Sequence, residues 1–281
     1  MNIIRIKDPE DEILQIFAQT SEVQLLRYYE PEPGIFIVES PNVVLRALEA
    51  GYIPFRILVE DKVFDKQIPL VLEALEKIHG KNRADDIEIC VGDREILKDL
   101  TGYVLVKGLW AAFRRNREVP LEEFLQDKKS IALLFDIVNP TNVGAIIRSA
   151  AAMGVDGAVL THASVNPLYR RASRVSMGTV FQIPWIQADI EESKGTRLIE
   201  TLKENGFFTV AMALTDESLG IDDGNIKNKE RLAVVLGTEG DGLPDEVIRS
   251  CDASVKIPMH HGVDSLNVAA ASAVAFWELL R

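Results

Sequence analysis

Short apolar runs and stretches of helical spacing take turns along the first hundred residues. The runs GIFIVES and FRILVED read as strands, and between them PNVVLRALEAGY repeats its apolar residues every three or four positions, as a helix does. KQIPLVLEALEKIHG predicts a second helix, DIEICVG a further strand and DREILKDLTG a third helix. Strands that alternate with helices predict an α/β/α layered domain. The alternation breaks at RRNREVPLEEFLQDKKS, where charges and a proline predict a linker over residues 118–128, between a smaller domain at 1–117 and a second domain at 129–281.

The second domain resumes the alternation. SIALLFDIV is an almost unbroken apolar run, the signature of a parallel strand covered on both faces. NVGAIIRSAAAMG predicts a helix that stops at Gly154, a plausible left-handed end. DGAVLTH predicts a strand, ASRVSMGTVFQIPW a helix leading into another strand, RLIETLKENG a helix and FFTVAMAL a strand. RLAVVLG, PDEVIRSC and ASVKIPM read as strand, short helix and strand, and SLNVAAASAVAFWELLR as a closing apolar helix. The fold class is therefore α/β with an open parallel sheet, in which ligands bind at the carboxyl ends of the strands.

Composition narrows the setting. The 281 residues include only two cysteines, Cys90 and Cys251, neither with metal-ligand spacing around it, so a disulfide framework is not expected and a cytoplasmic location is. The start of the chain, MNIIRIKDPEDEILQIF, has acids where a signal peptide needs a basic start and an apolar core, and no apolar run is long enough to span a membrane. The net charge of −12 argues against holding nucleic acid by charge alone. Two basic clusters stand out against it: Arg114, Arg115 and Arg117 in FRRNR, and Arg170, Arg171 and Arg174 in YRRASR. Such clusters are commonly solvated faces, and they are also what a local phosphate footprint looks like.

Three strand-end stretches carry the candidate chemistry. In NPTNVGAIIRSA, Asn142 and Gly144 open a helix, which an ordinary N-terminal cap also explains. Arg148 follows two isoleucines and precedes an alanine run, which predicts a place on or near the buried part of the helix and a need for an anionic partner. In VVLGTEGDGLPDE the order Gly237, Glu239, Gly240, Gly242 matches neither GxGxxG nor the phosphate-binding GxxxxGK[ST]. It is open to two readings: a plain glycine-rich turn with an exposed acid, or a loop that brings backbone close to a ligand beside Glu239. In IPMHHGVDSLNVAAASA, Asp264 or Ser265 can cap the final helix, while His260 and His261 have no third ligand spaced to join them in a metal site.

Taken together and in this order, NVGAIIRSA, LGTEGDGL and IPMHHGVDSLNVAAASA closely resemble the three motifs of the SpoU-type (TrmH-like) methyltransferases of the SPOUT superfamily, over roughly residues 125–281. The first half is similar to the ribosomal-protein-like RNA-binding domain often fused ahead of them: FIVESPNVVLRALEAG follows its glutamate-then-helix pattern, with Ser40 where glycine is usual. The resemblance implies transfer of a methyl group from S-adenosylmethionine to a ribose 2′-hydroxyl of structured RNA, ribosomal RNA ahead of transfer RNA. It implies a homodimer and a deep trefoil knot in the C-terminal domain; from the histidine spacing no metal is expected. Carried over by position, the cofactor contacts fall on Leu236, Gly237, Ile257, Met259 and Leu266, and the catalytic set on Asn142, Arg148, Glu239, Ser265 and Asn267. The arginines of the two basic clusters are the candidate RNA contacts. The alternatives are a non-catalytic RNA-binding protein that keeps the fold, and an unrelated α/β enzyme acting on a small nucleotide or sugar.

Overall fold

The computed structural model describes residues 2–30, 32–81, 83–102, 105–117 and 119–280. The chain forms two compact units, one of Met1–Arg117 with Leu168–Gln182 and the other of Glu118–Pro167 with Ile183–Arg281.

The first unit is built on a five-stranded sheet of β1 (Asn2–Arg5), β2 (Ile35–Glu39), β3 (Pro54–Glu60), β4 (Glu88–Gly92) and β5 (Leu109–Arg114), in the order β1-β4-β3-β5-β2. β1, β4 and β3 run parallel, while β5 is antiparallel to both β3 and β2. The helices Pro41–Glu49 and Arg94–Thr101 fall where their spacing predicts them; the helix Asp61–His79 begins five residues before the run KQIPLVLEALEKIHG and continues through Pro69. β1, β5 and the helical turns between Glu12 and Leu26 were not anticipated. The cause in β5 is burial on both faces: LWAAF is wholly buried, so no polar alternation marks it as a strand.

The second unit holds a seven-stranded, all-parallel sheet of β6 (Ser130–Leu134), β7 (Gly157–Leu160), β8 (Trp185–Gln187), β9 (Phe208–Met212), β10 (Leu219–Gly220), β11 (Leu232–Leu236) and β12 (Ala253–Lys256). Its order is β10-β12-β9-β11-β6-β7-β8. β6, β7 and β11 are buried at every residue, which is what their unbroken apolar sequences require. Two carboxylates brace strand starts. Asp156 accepts hydrogen bonds of 2.9 Å from the Lys129 and Ser130 amides and the Ser130 hydroxyl, and Asp252 accepts from the Thr209 amide at 2.8 Å and hydroxyl at 2.9 Å.

The stretch expected to be a linker is part of this core. Leu121–Leu125 is a helix behind Pro120, and its Leu121, Phe124 and Leu125 are buried among Ile131, Leu133 and Leu202. Charge at the flanking positions hid an i, i+3, i+4 apolar stripe; Glu118 lies outside the described residues. The helix expected over ASRVSMGTVFQIPW is also shorter, running only from Arg170 to Val175. Met177 and Gly178 then adopt φ of 56° and 83°, left-handed values that end it.

Leu168–Gln182 is built into the first unit. Phe181 packs its ring against Phe36 and Tyr52, each with centroids 5.7 Å apart, and Phe36 stacks on Phe113 at 5.3 Å. Arg174 donates to the buried carboxylate of Glu39 at 3.1 Å. The next residue, Ser40, has φ 77° and ψ 145°, a conformation that only glycine adopts without strain.

Ser40→Gly should therefore raise the stability of the protein by about 1 kcal/mol, the ~1–3 kcal/mol of relieved strain less the ~0.5–1 kcal/mol of extra chain entropy. An unchanged or lower urea midpoint would show that Ser40 is unstrained. Acid unfolding tests the carboxylate braces. Burial raises the Asp156 pKa, but the bonds from Lys129 and Ser130 outweigh it and hold the group below its usual value. A depressed native pKa adds stability that is whole well above the unfolded value of about 3.9 and is lost as pH falls through the native one. Asp156→Asn should accordingly destabilise the protein at pH 7, with the gap from wild type closing as pH drops below about 3.9; a gap constant with pH would assign the effect to shape alone.

Candidate active site

The end of β11 folds back on itself. At Gly237 a Cβ would lie 2.5 Å from the Gly242 carbonyl carbon and 2.6 Å from the Leu243 nitrogen, so no side chain fits there. The Thr238 amide donates to the Gly242 carbonyl at 3.2 Å, and Gly240 and Gly242 close the turn with φ of 95° and 71°. Three glycines in GTEGDGL are thus accounted for by backbone geometry, and Glu239 is left exposed on the turn.

Beside this turn the C-terminal helix Val268–Leu279 begins. Its cap is Asn267, and neither Asp264 nor Ser265 takes that role: the Asn267 Oδ1 accepts from the Ala269 amide at 2.9 Å. That fixes which end of the amide is free to donate. The Asn267 Nδ2 donates to Asn142 Oδ1 at 3.3 Å and to Glu239 Oε1. Asn142 is buried in the first turn of the helix Pro140–Met153, which ends at a left-handed Gly154 and packs against the C-terminal helix. Three residues from three separate motifs, Asn142, Glu239 and Asn267, therefore share one hydrogen-bonded chain.

A cleft of about 650 Å³ opens at the carboxyl ends of β9, β11 and β12. Leu236, Gly237, Ile257, Met259 and Leu266 all line it, as do Glu239, Ser265 and Asn267. The volume is within the range of small-molecule sites. Sequence reasoning missed the wall at 212–215, where β9 ends; the rule that ligands bind at strand ends pointed to it, but MALT carries no motif.

Arg148 departs from expectation. It is exposed, and among the described residues its side chain makes no hydrogen bond or ion pair. Ile146, Ile147 and Ala150 take the buried face, and the 100° step per residue turns Arg148 to the opposite side with the exposed Ala152. No buried anionic partner is needed there. His260 and His261 lie with ring centroids 6.5 Å apart, and among the described residues no three His, Cys, Asp or Glu side chains are grouped to hold a metal.

The six arginines of the basic clusters all belong to the first unit. Arg170 pairs with Glu22 at 2.9 Å, donates to the Phe17 carbonyl at 2.9 Å and lies 4.9 Å from the Trp110 ring centroid. Arg174 is held by Glu39 and Arg117 by Glu32 at 2.6 Å. Arg114 and Arg171 are exposed, Arg115 half-buried, and the Arg115 amide donates to the Gly34 carbonyl at 2.9 Å. Arg117, Arg170 and Arg174 are thus balanced within the unit.

Comparison with known proteins agrees with this geometry. The model of a family described as the SpoU rRNA Methylase family matches residues 129–277. An uncharacterized tRNA/rRNA methyltransferase of Mycobacterium bovis is 30% identical over 282 residues, covering 100% of this chain and 93% of its own. Two solved structures share the fold at 24% identity. An AdoMet-bound rRNA methyltransferase from Sinorhizobium meliloti gives a TM-score of 0.78 over 99% of this chain and 97% of its own. An RNA 2′-O ribose methyltransferase gives 0.77 over 99% and 98%. With all three motifs gathered at one end of the parallel sheet and the family model spanning over half of its length, the chain belongs to the SpoU rRNA methylase family.

Proposed function

We propose that this protein transfers a methyl group from S-adenosylmethionine to a ribose 2′-hydroxyl of structured RNA, with ribosomal RNA ahead of transfer RNA. The observation that carries this reading is the hydrogen-bonded chain of Asn142, Asn267 and Glu239 at the edge of the strand-end cleft. The ribose position is supported by the name of the solved 2′-O ribose methyltransferase with the same fold, and ribosomal RNA by the family's description.

The cleft suits the cofactor chemically. Leu236, Ile257, Met259 and Leu266 give apolar walls for an adenine ring, and Glu239, Asp241 and Asp264 place negative charge where a sulfonium and an ammonium need it. When bound, S-adenosylmethionine supplies an activated methyl group. The protein's part is to line up the accepting oxygen with it, and positioning of this kind can lower a barrier by ~7–11 kcal/mol at most. Asn267 and Glu239 hold the turn and the helix start in one arrangement, and Ser265 shapes the segment between cofactor and RNA.

Arg148 acts as a clamp. A guanidinium is a poor base and a good partner for the neighbouring phosphate and for charge developing on the ribose oxygen. Its exposure fits a role toward a second copy of the chain. Val274 and Trp277, on the helix that packs against that of Arg148, are exposed apolar side chains, Trp277 by 52%. A homodimer covers them and brings Arg148 of one subunit to the cleft of the other. In this reading the C-terminal segment forms the trefoil knot, residues 129–281 are the methyltransferase domain, residues 1–117 bind RNA, and the enzyme works in the cytoplasm.

Calorimetry should give micromolar binding of S-adenosylmethionine and S-adenosylhomocysteine, abolished in Leu266→Arg. No binding at millimolar ligand would overturn the methyltransferase reading and leave an RNA-binding relative. Arg148→Ala should cut methyl transfer by about 10²–10³-fold, the usual cost of one lost transition-state donor, and Arg148→Lys should keep part of the activity. If the lysine variant were as inactive as the alanine one while still binding RNA, the clamp would be wrong.

A further inference from the structure

The turn at residues 27–30 holds two exposed aromatic rings. Tyr28 is 48% and Tyr29 38% exposed, and their rings meet edge to face at 5.1 Å. Arg114, at the end of β5, lies 5.3 Å from the Tyr29 ring centroid and 5.9 Å from that of Phe55. The arrangement is built in. A Cβ on Gly34 would sit 2.2 Å from the carbonyl oxygens of Leu25 and Leu26, so only glycine lets the chain turn this tightly. Gly34 also donates to the Leu26 carbonyl at 3.2 Å and accepts from the Arg115 amide at 2.9 Å, which ties the tyrosine turn to the arginine strand.

Tyrosines left in water beside a guanidinium suit one ligand chemistry above others: flat bases carried on a phosphate backbone. Arg27 and Arg114 are exposed, and neither forms an ion pair among the described residues; Arg117 cancels Glu32, leaving Glu30 as the opposing charge on the turn. A base-paired helix hides its ring faces, so a stacking surface selects unpaired nucleotides. We propose that Tyr28, Tyr29 and Arg114 form a stacking site for unpaired bases of RNA. This rests on the reading of the protein as one that acts on RNA, and it adds where the first unit holds its substrate and which part of it.

The test is fluorescence anisotropy with a labelled oligouridine and with an RNA duplex of equal length, run beside cofactor calorimetry. The wild type should prefer the single strand. Tyr28→Ala with Tyr29→Ala should weaken single-strand binding by roughly 5–100-fold and leave its salt dependence and the duplex affinity almost unchanged. The Phe pair should bind as the wild type does. Arg114→Ala should lower both the affinity and the salt slope, because a phosphate contact is lost. Unchanged binding by the Ala pair, or an equal loss toward the duplex, would overturn the proposal; Phe variants as weak as Ala would replace stacking with a hydroxyl contact. Circular dichroism and a melting temperature unchanged from the wild type show that the variants are folded. If the wild type binds the cofactor and the duplex but not the single strand, the stacking site fails alone; if it binds no cofactor, the enzymatic reading fails whatever the oligonucleotide does.

Discussion

The backbone of Gly237 passes within van der Waals reach of Gly242 and Leu243, and that close approach is the constraint around which the rest of the site is arranged. β11 lies between β9 and β6 in the middle of a parallel sheet, so its end cannot shift to make room. The chain must reverse at once, which puts Glu239 against the start of the C-terminal helix. Asn267 then does two things with one amide: its oxygen caps the helix and its nitrogen reaches Asn142 and Glu239. The capping bond decides the orientation, and the orientation makes the nitrogen the donor to Asn142 and Glu239. Local helix chemistry and the candidate catalytic geometry are thus one arrangement.

Charge follows a similar economy. A chain of net charge −12 is a poor general polyelectrolyte for RNA, and several of its conspicuous arginines are already engaged. Arg170 and Arg174 fasten the segment 168–182 to Glu22 and Glu39, the latter buried, and a buried carboxylate needs such a partner. Arg114, an exposed cation of the first unit, sits beside the rings of Tyr29 and Phe55, an arrangement in which shape and stacking matter more than summed charge.

The fold could be read from the sequence wherever burial is one-sided or complete over a long run. IALL and LAVVL announce central parallel strands, and Gly154 a helix end, because in each the residue types answer directly to backbone geometry. Much of the cleft is legible for the same reason: the walls after β11 and β12 come from two motifs that are each tied to a strand end. What escaped depends on long-range contacts. The helix Leu121–Leu125 looks like a charged linker until its three apolar residues meet a core contributed by distant strands. The exposure of Arg148 depends on one helical step, which apolar neighbours on both sides disguise. Tyr28 and Tyr29 carry no motif, and only the turn at Gly34 brings them to Arg114.

The placement of Leu168–Gln182 has a consequence for how the molecule is made and divided. The family model runs without a break through this segment, yet its Ala172, Val180 and Phe181 complete the interior of the unit formed by the first 117 residues. The chain enters that unit, leaves it, returns for fifteen residues and leaves again. No single cut yields two whole pieces. An N-terminal fragment emerging first from the ribosome lacks part of its own interior until some sixty-five residues more have been translated, so the two halves mature as one cooperative product. Two modules joined end to end could be exchanged between relatives; this pair is stitched, and substitutions in 168–182 answer to both the methylase sequence and the interior of its neighbour.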